Sequence, residues 1–141
     1  MSNIIVFTRA GANRPAAAKF SMKEAIIGRL SVRPDALRAE IRAAFGVEVG
    51  ITEVEPGKMV AALEAVMVWS PQFQYPLNFA GKDAAEAVAR LYYRMTHDLR
   101  RGELLRVSGA NGMAEWGYDR AAGCFRPHRE ISAQVCAFSK T

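Results

Sequence analysis

Residues 82–101, KDAAEAVARLYYRMTHDLRR, carry the clearest amphipathic helix pattern in the sequence. Apolar residues recur there at steps of three and four, which places them on one face of an α-helix: Ala84, Val88, Leu91, Tyr92, Met95 and Leu99. Asp83 with Glu86 three residues later predicts a capping box at the start, and Gly102 predicts the end. We therefore expect one helix of about 30 Å that packs on a sheet.

The predicted sheet follows this helix directly. Glu103–Val107, Met113–Tyr118 and Cys124–Pro127 are typical of strands, and Asn111-Gly112 is the strongest hairpin-turn signal in the chain. Residues 131–138 predict either a fourth strand or a short helix, and their alternating apolar pattern favours the strand.

The residues before the central helix predict an arm and four further elements. Residues 1–19 have no period and carry basic side chains, so we expect a flexible basic N-terminal arm. Ser21–Leu30 and Asp35–Phe45 predict helices, Val47–Val54 predicts a strand, and the nearly all-apolar Lys58–Val68 predicts a buried helix. The expected fold is α+β: one domain over residues 20–141, with three to four helices packed on a C-terminal antiparallel meander.

The composition limits the classes of protein to consider. A chain of 141 residues predicts a single domain, and it holds no apolar run long enough to span a membrane. No export signal is visible at the N-terminus, so we expect a cytoplasmic protein. Cys124 and Cys136 have no metal-binding spacing, which predicts two free, buried thiols and no zinc site.

The charge distribution favours an anionic partner. The net charge is +5, and residues 1–46 alone carry eight Lys/Arg against three Asp/Glu. Fourteen of the nineteen basic residues are arginine, whose planar guanidinium matches phosphate geometry. The arginines expected to contact nucleic acid are Arg29, Arg33, Arg38, Arg42, Arg90, Arg94 and Arg101. The two N-terminal helices match a helix-turn-helix motif only in part, so an ordinary αα-hairpin is the favoured interpretation.

The stretch Trp69–Ala80, WSPQFQYPLNFA, has an unusual aromatic pattern. Phe73, Tyr75, Leu77 and Phe79 alternate with other residues, which predicts an extended segment with one apolar face. Two prolines lack amide donors, which predicts that the segment lies at a sheet edge or in an extended loop. The face either covers the core, with one or two rings left at the surface, or binds a partner through Trp69, Phe73, Tyr75 and Phe79.

Catalytic signatures are missing from the sequence. There is no Walker A loop, no dinucleotide-binding glycine pattern, no nucleophile elbow and no HExxH. We therefore expect a small basic accessory protein without enzymatic activity or cofactor. Its partner is nucleic acid or a nucleic-acid-bound complex. The alternative is a protein-interaction or inhibitor module, possibly homodimeric, that uses the Trp69–Phe79 apolar stretch.

Overall fold

The computed structural model describes residues 22–109 and 112–128, which fold into three helices and a six-stranded antiparallel sheet. In chain order the elements are α1 (residues 22–30), α2 (Pro34–Phe45), β1 (Gly50–Glu55), β2 (Lys58–Trp69), β3 (Gln74–Gly81), α3 (Ala84–Thr96), β4 (Leu104–Gly109), β5 (Gly112–Asp119) and β6 (Cys124–Pro127). The predicted α+β class is confirmed. The arm at residues 1–19 and the element at residues 131–138 lie outside the described residues.

The long strand β2 organises the sheet. Strand β3 borders it along one side, while β1 and β4 share the other side: β1 pairs with residues 58–62 and β4 with residues 66–69. Strands β4, β5 and β6 then form a meander. The expectation that the sheet is C-terminal is therefore wrong in part, because β1, β2 and β3 all precede α3 in the chain.

The prediction of a buried helix at Lys58–Val68 is wrong, because these residues form most of β2. Its buried side chains are Ala61, Leu63, Val66 and Val68. They follow a period of two that is broken once, by a bulge in which residues 64–66 oppose no residue of β3. Because of the bulge, the next buried side chain after Leu63 is that of Val66, three residues later instead of two. In the sequence this change of phase imitates helical spacing.

The central helix is shorter than its sequence pattern predicts. Asp83 caps its start as expected, since its side chain accepts a hydrogen bond from the Glu86 amide. The helix ends at Thr96 and not at Arg101, so its 13 residues span about 20 Å. The Thr96 hydroxyl bonds back to the carbonyl of Tyr92. His97 and Asp98, two weak helix formers, follow at this point.

The core lies between the sheet and α3, with α1 and α2 packed beside that helix. Leu91 and Met95 of α3 are fully buried, which confirms the predicted apolar face. From α2, Leu37 and Ile41 are also fully buried. The ring of Phe45, at the end of α2, packs on two aromatic rings of the C-terminal strands, those of Trp116 and Phe125.

The C-terminal hairpins confirm the predicted strands and correct one turn. Strands β4, β5 and β6 overlap the three predicted segments. Gly112 has the positive φ expected of it, +103°, yet it pairs with Gly109 as the first residue of β5 and so does not belong to the turn. Asn111 lies outside the described residues. Cys124 is a half-buried free thiol, and Cys136 also lies outside the described residues.

Gly81 is expected to be the glycine least tolerant of substitution. A Cβ atom there would lie 2.6 Å from the amide nitrogen of Ala87 and 2.9 Å from the Cβ of Glu86, in the first turn of α3. Gly81→Ala should therefore lower the free energy of unfolding by about 1–3 kcal/mol. Gly28→Ala is the matched control, since Gly28 lies in α1 with nothing within 4 Å. It should be neutral or stabilise by up to about 1 kcal/mol. Equal effects of the two changes in chemical denaturation would contradict this close approach.

Candidate nucleic-acid interface

The aromatic stretch forms an edge strand that is half in the core and half exposed. Among the described strands β3 pairs only with β2, which confirms its predicted edge position. Leu77 is fully buried and Phe79 packs partly against the core. Phe73 and Tyr75 are 60% and 43% exposed, and their ring centroids lie 5.8 Å apart. Two of the four alternating side chains, Leu77 and Phe79, therefore cover the core, and two rings, those of Phe73 and Tyr75, are left at the surface.

Trp69 does not belong to the same surface as the other three predicted partner-binding residues. Neighbouring residues of a strand point to opposite faces, and its neighbour Val68 is fully buried beneath α3. Trp69 therefore faces away from α3. There the guanidinium of Arg106 lies over its ring, 4.1 Å from the ring centroid.

A groove lies between the start of β3 and the loop that joins α3 to β4. We call it the rim groove. It has a volume of about 300 Å³, and its lining includes Val68, Tyr75, Leu77, Phe79, Arg100 and Glu103. The floor is apolar because Val68 and Leu77 are fully buried. Phe73 lies next to this groove, since its ring packs against that of Tyr75.

An ion pair fixes the loop that borders the rim groove. Both terminal nitrogens of Arg94 donate to the carboxylate of Glu103, at 3.0 and 3.1 Å. Glu103 also accepts a hydrogen bond from the amide of Arg100, at 2.8 Å. The hydrogen bond from Arg94 is the main cause that lowers the pKa of Glu103 below its usual value. The loop is therefore held in place before any ligand binds.

Three of the arginines predicted to contact phosphates are neutralised within the protein. Arg90 of α3 donates to Glu24 and Glu86, and its side chain is 25% exposed. Arg94 is paired with Glu103 as described above, and Arg42 pairs with Glu48 on the surface. The expected solvent-exposed arginine face of α3 is thus an internal set of ion pairs that ties the helix to α1 and to the β4 loop.

The remaining predicted arginines fall into two separate groups. Arg29 and Arg33 are exposed near the turn between α1 and α2, and Arg38 is half-buried on α2. The turn lies beside the start of α3, because residues 27–31 line one cavity together with residues 82–86. Arg101 is exposed in the loop after the end of α3. The length of the helix, about 20 Å, therefore separates Arg29 and Arg33 from Arg101.

Arg100 was not among the predicted site residues. Arg100 lines the rim groove, and among the described residues neither it nor Arg101 is part of an ion pair. The expected helix end at Arg101 placed Arg100 in the last helical turn, where its charge would only oppose the helix dipole. The weak helix propensity of His97 and Asp98 was the signal in the sequence that could have indicated the earlier end of the helix.

Two further titratable side chains of the described residues, Tyr92 and His97, make contacts within the folded protein. Tyr92 donates a hydrogen bond to the carboxylate of Glu40, at 2.7 Å, and burial is the main cause that raises its pKa. His97 stacks on Tyr93 with ring centroids 5.3 Å apart. No three His, Cys, Asp or Glu side chains in the described part of the chain are grouped so that they could hold a metal ion.

No protein-family model matches the chain, and no curated protein or solved structure shows significant similarity to it. None of the helices described here is both long and apolar enough to cross a membrane.

Proposed function

We propose that this protein is a non-catalytic binding protein whose partner is nucleic acid or a nucleic-acid-bound complex. The observation that carries the proposal is the groove that Tyr75, the partner of the exposed Phe73 ring, shares with Arg100. Arg101 follows Arg100 in the chain, and neither arginine forms an ion pair with a described acid. Exposed aromatic rings offer stacking surfaces to bases, and free guanidinium groups attract the phosphates that link them. The two kinds of side chain together match the two chemical parts of a nucleotide.

The arginines of the α1–α2 hairpin would add phosphate contacts at a second place. Arg29 and Arg33 are exposed and have no ion pair within residues 22–109 and 112–128. Such contacts would increase affinity for any nucleic acid without selecting a sequence. The paired arginines, Arg42, Arg90 and Arg94, are not proposed to contact phosphates, because a phosphate would have to displace a carboxylate from each of them.

The salt dependence of binding tests the proposal. We expect a protein with both Arg100→Ala and Arg101→Ala to bind a mixed-sequence single strand more weakly than the wild type. The slope of log K against log salt should also become shallower by about 1.4, or 0.7 for each lost phosphate contact. The measurement is a fluorescence anisotropy titration at several salt concentrations.

Lys58→Ala is a suitable control, because Lys58 is exposed at the far end of β2 from Trp69. This change removes a positive charge without touching the rim groove, so it should change the slope little. A change of slope of about 0.7 in Lys58→Ala, half that of the double variant, would show that only net charge matters. An unchanged slope in the double variant would show that Arg100 and Arg101 do not contact phosphates.

A protein-interaction or inhibitor module, possibly homodimeric, is the second candidate function. It is favoured by the same edge strand, because β3 pairs on one side only among the described strands and the exposed apolar ring of Phe73 directly precedes it. Pro76 limits this use, since it has no amide donor for a strand added to the edge. An interface of this kind would keep its affinity at high salt, whereas binding to phosphates would lose it.

A further inference from the structure

The rim groove has the shape of a site for one flat ring. Its lining combines two fully buried apolar side chains, Val68 and Leu77, with the exposed residue Tyr75. Phe79 forms a further apolar part of the lining. A volume of about 300 Å³ is at the small end of the range for ligand sites, which suits a single ring system better than a longer segment.

The charge at the groove favours a ring that carries an anion. The positive charge of Arg94 is neutralised by Glu103, which also holds the backbone of Arg100. The side chain of Arg100 itself has no carboxylate partner among residues 22–109 and 112–128. Arg94, Arg100 and Glu103 therefore give the lining of the groove one net positive charge, and Arg101 follows Arg100 in the chain. An anionic aromatic unit complements an apolar floor of this kind next to a single positive charge.

The Phe73–Tyr75 pair extends this surface beyond the groove. The two ring planes are inclined by only 30°, so a ring stacked on one of them is nearly parallel to the other. Both rings are large and exposed, with Tyr75 in β3 and Phe73 immediately before that strand. A neighbouring base of the same strand could stack there while the first base occupies the groove.

On the basis of the proposed function, we propose that the rim groove takes one unpaired base of a single-stranded nucleic acid, with an adjacent phosphate on Arg100. The protein is then selective for single strands over duplexes. A base inside a duplex is covered on both faces by its neighbours and bonded at its edge. It can enter the groove only if it is first unstacked, which costs a few kcal/mol. Binding through arginines alone would not distinguish the two forms in this way.

Tyr75 provides the test, because its hydroxyl forms no described hydrogen bond and its ring is 43% exposed. The probes are a fluorescein-labelled single-stranded DNA of mixed sequence and the same strand annealed to its complement. Tyr75→Ala should weaken single-strand binding by about 5- to 150-fold and leave duplex binding unchanged. Tyr75→Phe keeps the ring and should bind both probes as the wild type does. Thermal melting should be the same for the three proteins, because the side chain contributes little to the core.

The possible results separate this inference from the proposed function. Equal wild-type affinity for both probes, or equal weakening of both by Tyr75→Ala, would overturn the single-strand site and leave general nucleic-acid binding in place. Tighter single-strand binding that Tyr75→Ala does not weaken would likewise overturn the role of the groove. Binding of neither probe at low salt would overturn the proposed function itself. A selective loss of single-strand affinity supports both.

Discussion

Leu91→Ala is expected to lower the free energy of unfolding by about 2–5 kcal/mol. The side chain is fully buried in the helix that packs on β2, β3 and α2, so its removal leaves a cavity that several elements border. Cavities of this kind collapse poorly in a well-packed core, which is why the cost exceeds the transfer energy of the lost methyl groups. Urea denaturation followed by circular dichroism measures the change.

Val54→Ala is the control for Leu91→Ala. Val54 lies in β1 and is 51% exposed, so its truncation removes few contacts and should cost less than about 0.5 kcal/mol. If Leu91→Ala also costs less than about 0.5 kcal/mol, the buried face of α3 is assigned wrongly and the packing described above is incorrect.

Arg94→Ala is expected to destabilise the protein by about 3–5 kcal/mol. The side chain of its partner Glu103 is only 9% exposed, and it would lose both hydrogen bonds from Arg94. A carboxylate left unpaired at that depth must either stay charged at a cost or take up a proton. Arg42→Ala is the matched control: its ion pair with Glu48 is exposed to water on both sides and should contribute much less.

The pH dependence of stability distinguishes a lost ion pair from lost packing. Pairing lowers the folded-state pKa of Glu103 below its usual 4.5, so the stabilisation is fully present above that value and is lost as the pH falls through the folded-state pKa. The difference in unfolding free energy between wild type and Arg94→Ala should therefore be largest above pH 4.5 and shrink as the pH falls below that value. A difference that does not change with pH would show that Arg94 acts through its hydrocarbon stem alone.

The sequence predicted the helices and the C-terminal hairpins because their patterns are local. Helix α2 begins at Pro34 and ends before Gly46, which adopts the left-handed conformation with φ of +71°. The misassigned strand β2 depended on information that is not local. Its apolar side chains lie on both faces, and its bulge shifts the phase of their alternation. Two different strands, β1 and β4, pair with separate parts of the same edge of β2. Such a segment becomes a strand because distant segments of the chain pair with it. The periodicity of its own sequence carries no information about those partners.

The sequence indicated which types of residue form the candidate site, but not which individual arginines belong to it. Arginines and an aromatic strand were visible in the sequence, but the partners of the arginines were not. Arg90 forms an ion pair with Glu24, which lies 66 residues away in the chain, and Arg94 forms one with Glu103 across a loop. These long-range ion pairs decide which guanidinium groups remain available to a ligand. The early end of α3 then brings Arg100 to the groove that contains Tyr75.

The most direct test of nucleic-acid binding is the affinity of the wild-type protein for a mixed-sequence single strand at about 50 mM and about 200 mM salt. If only Arg100 and Arg101 contact phosphates, the dissociation constant should rise about 7-fold between the two conditions. Three further contacts from Arg29, Arg33 and Arg38 would increase this ratio to about 130-fold. The absence of binding at the lower salt concentration, or an affinity that salt does not change, would contradict the proposed function.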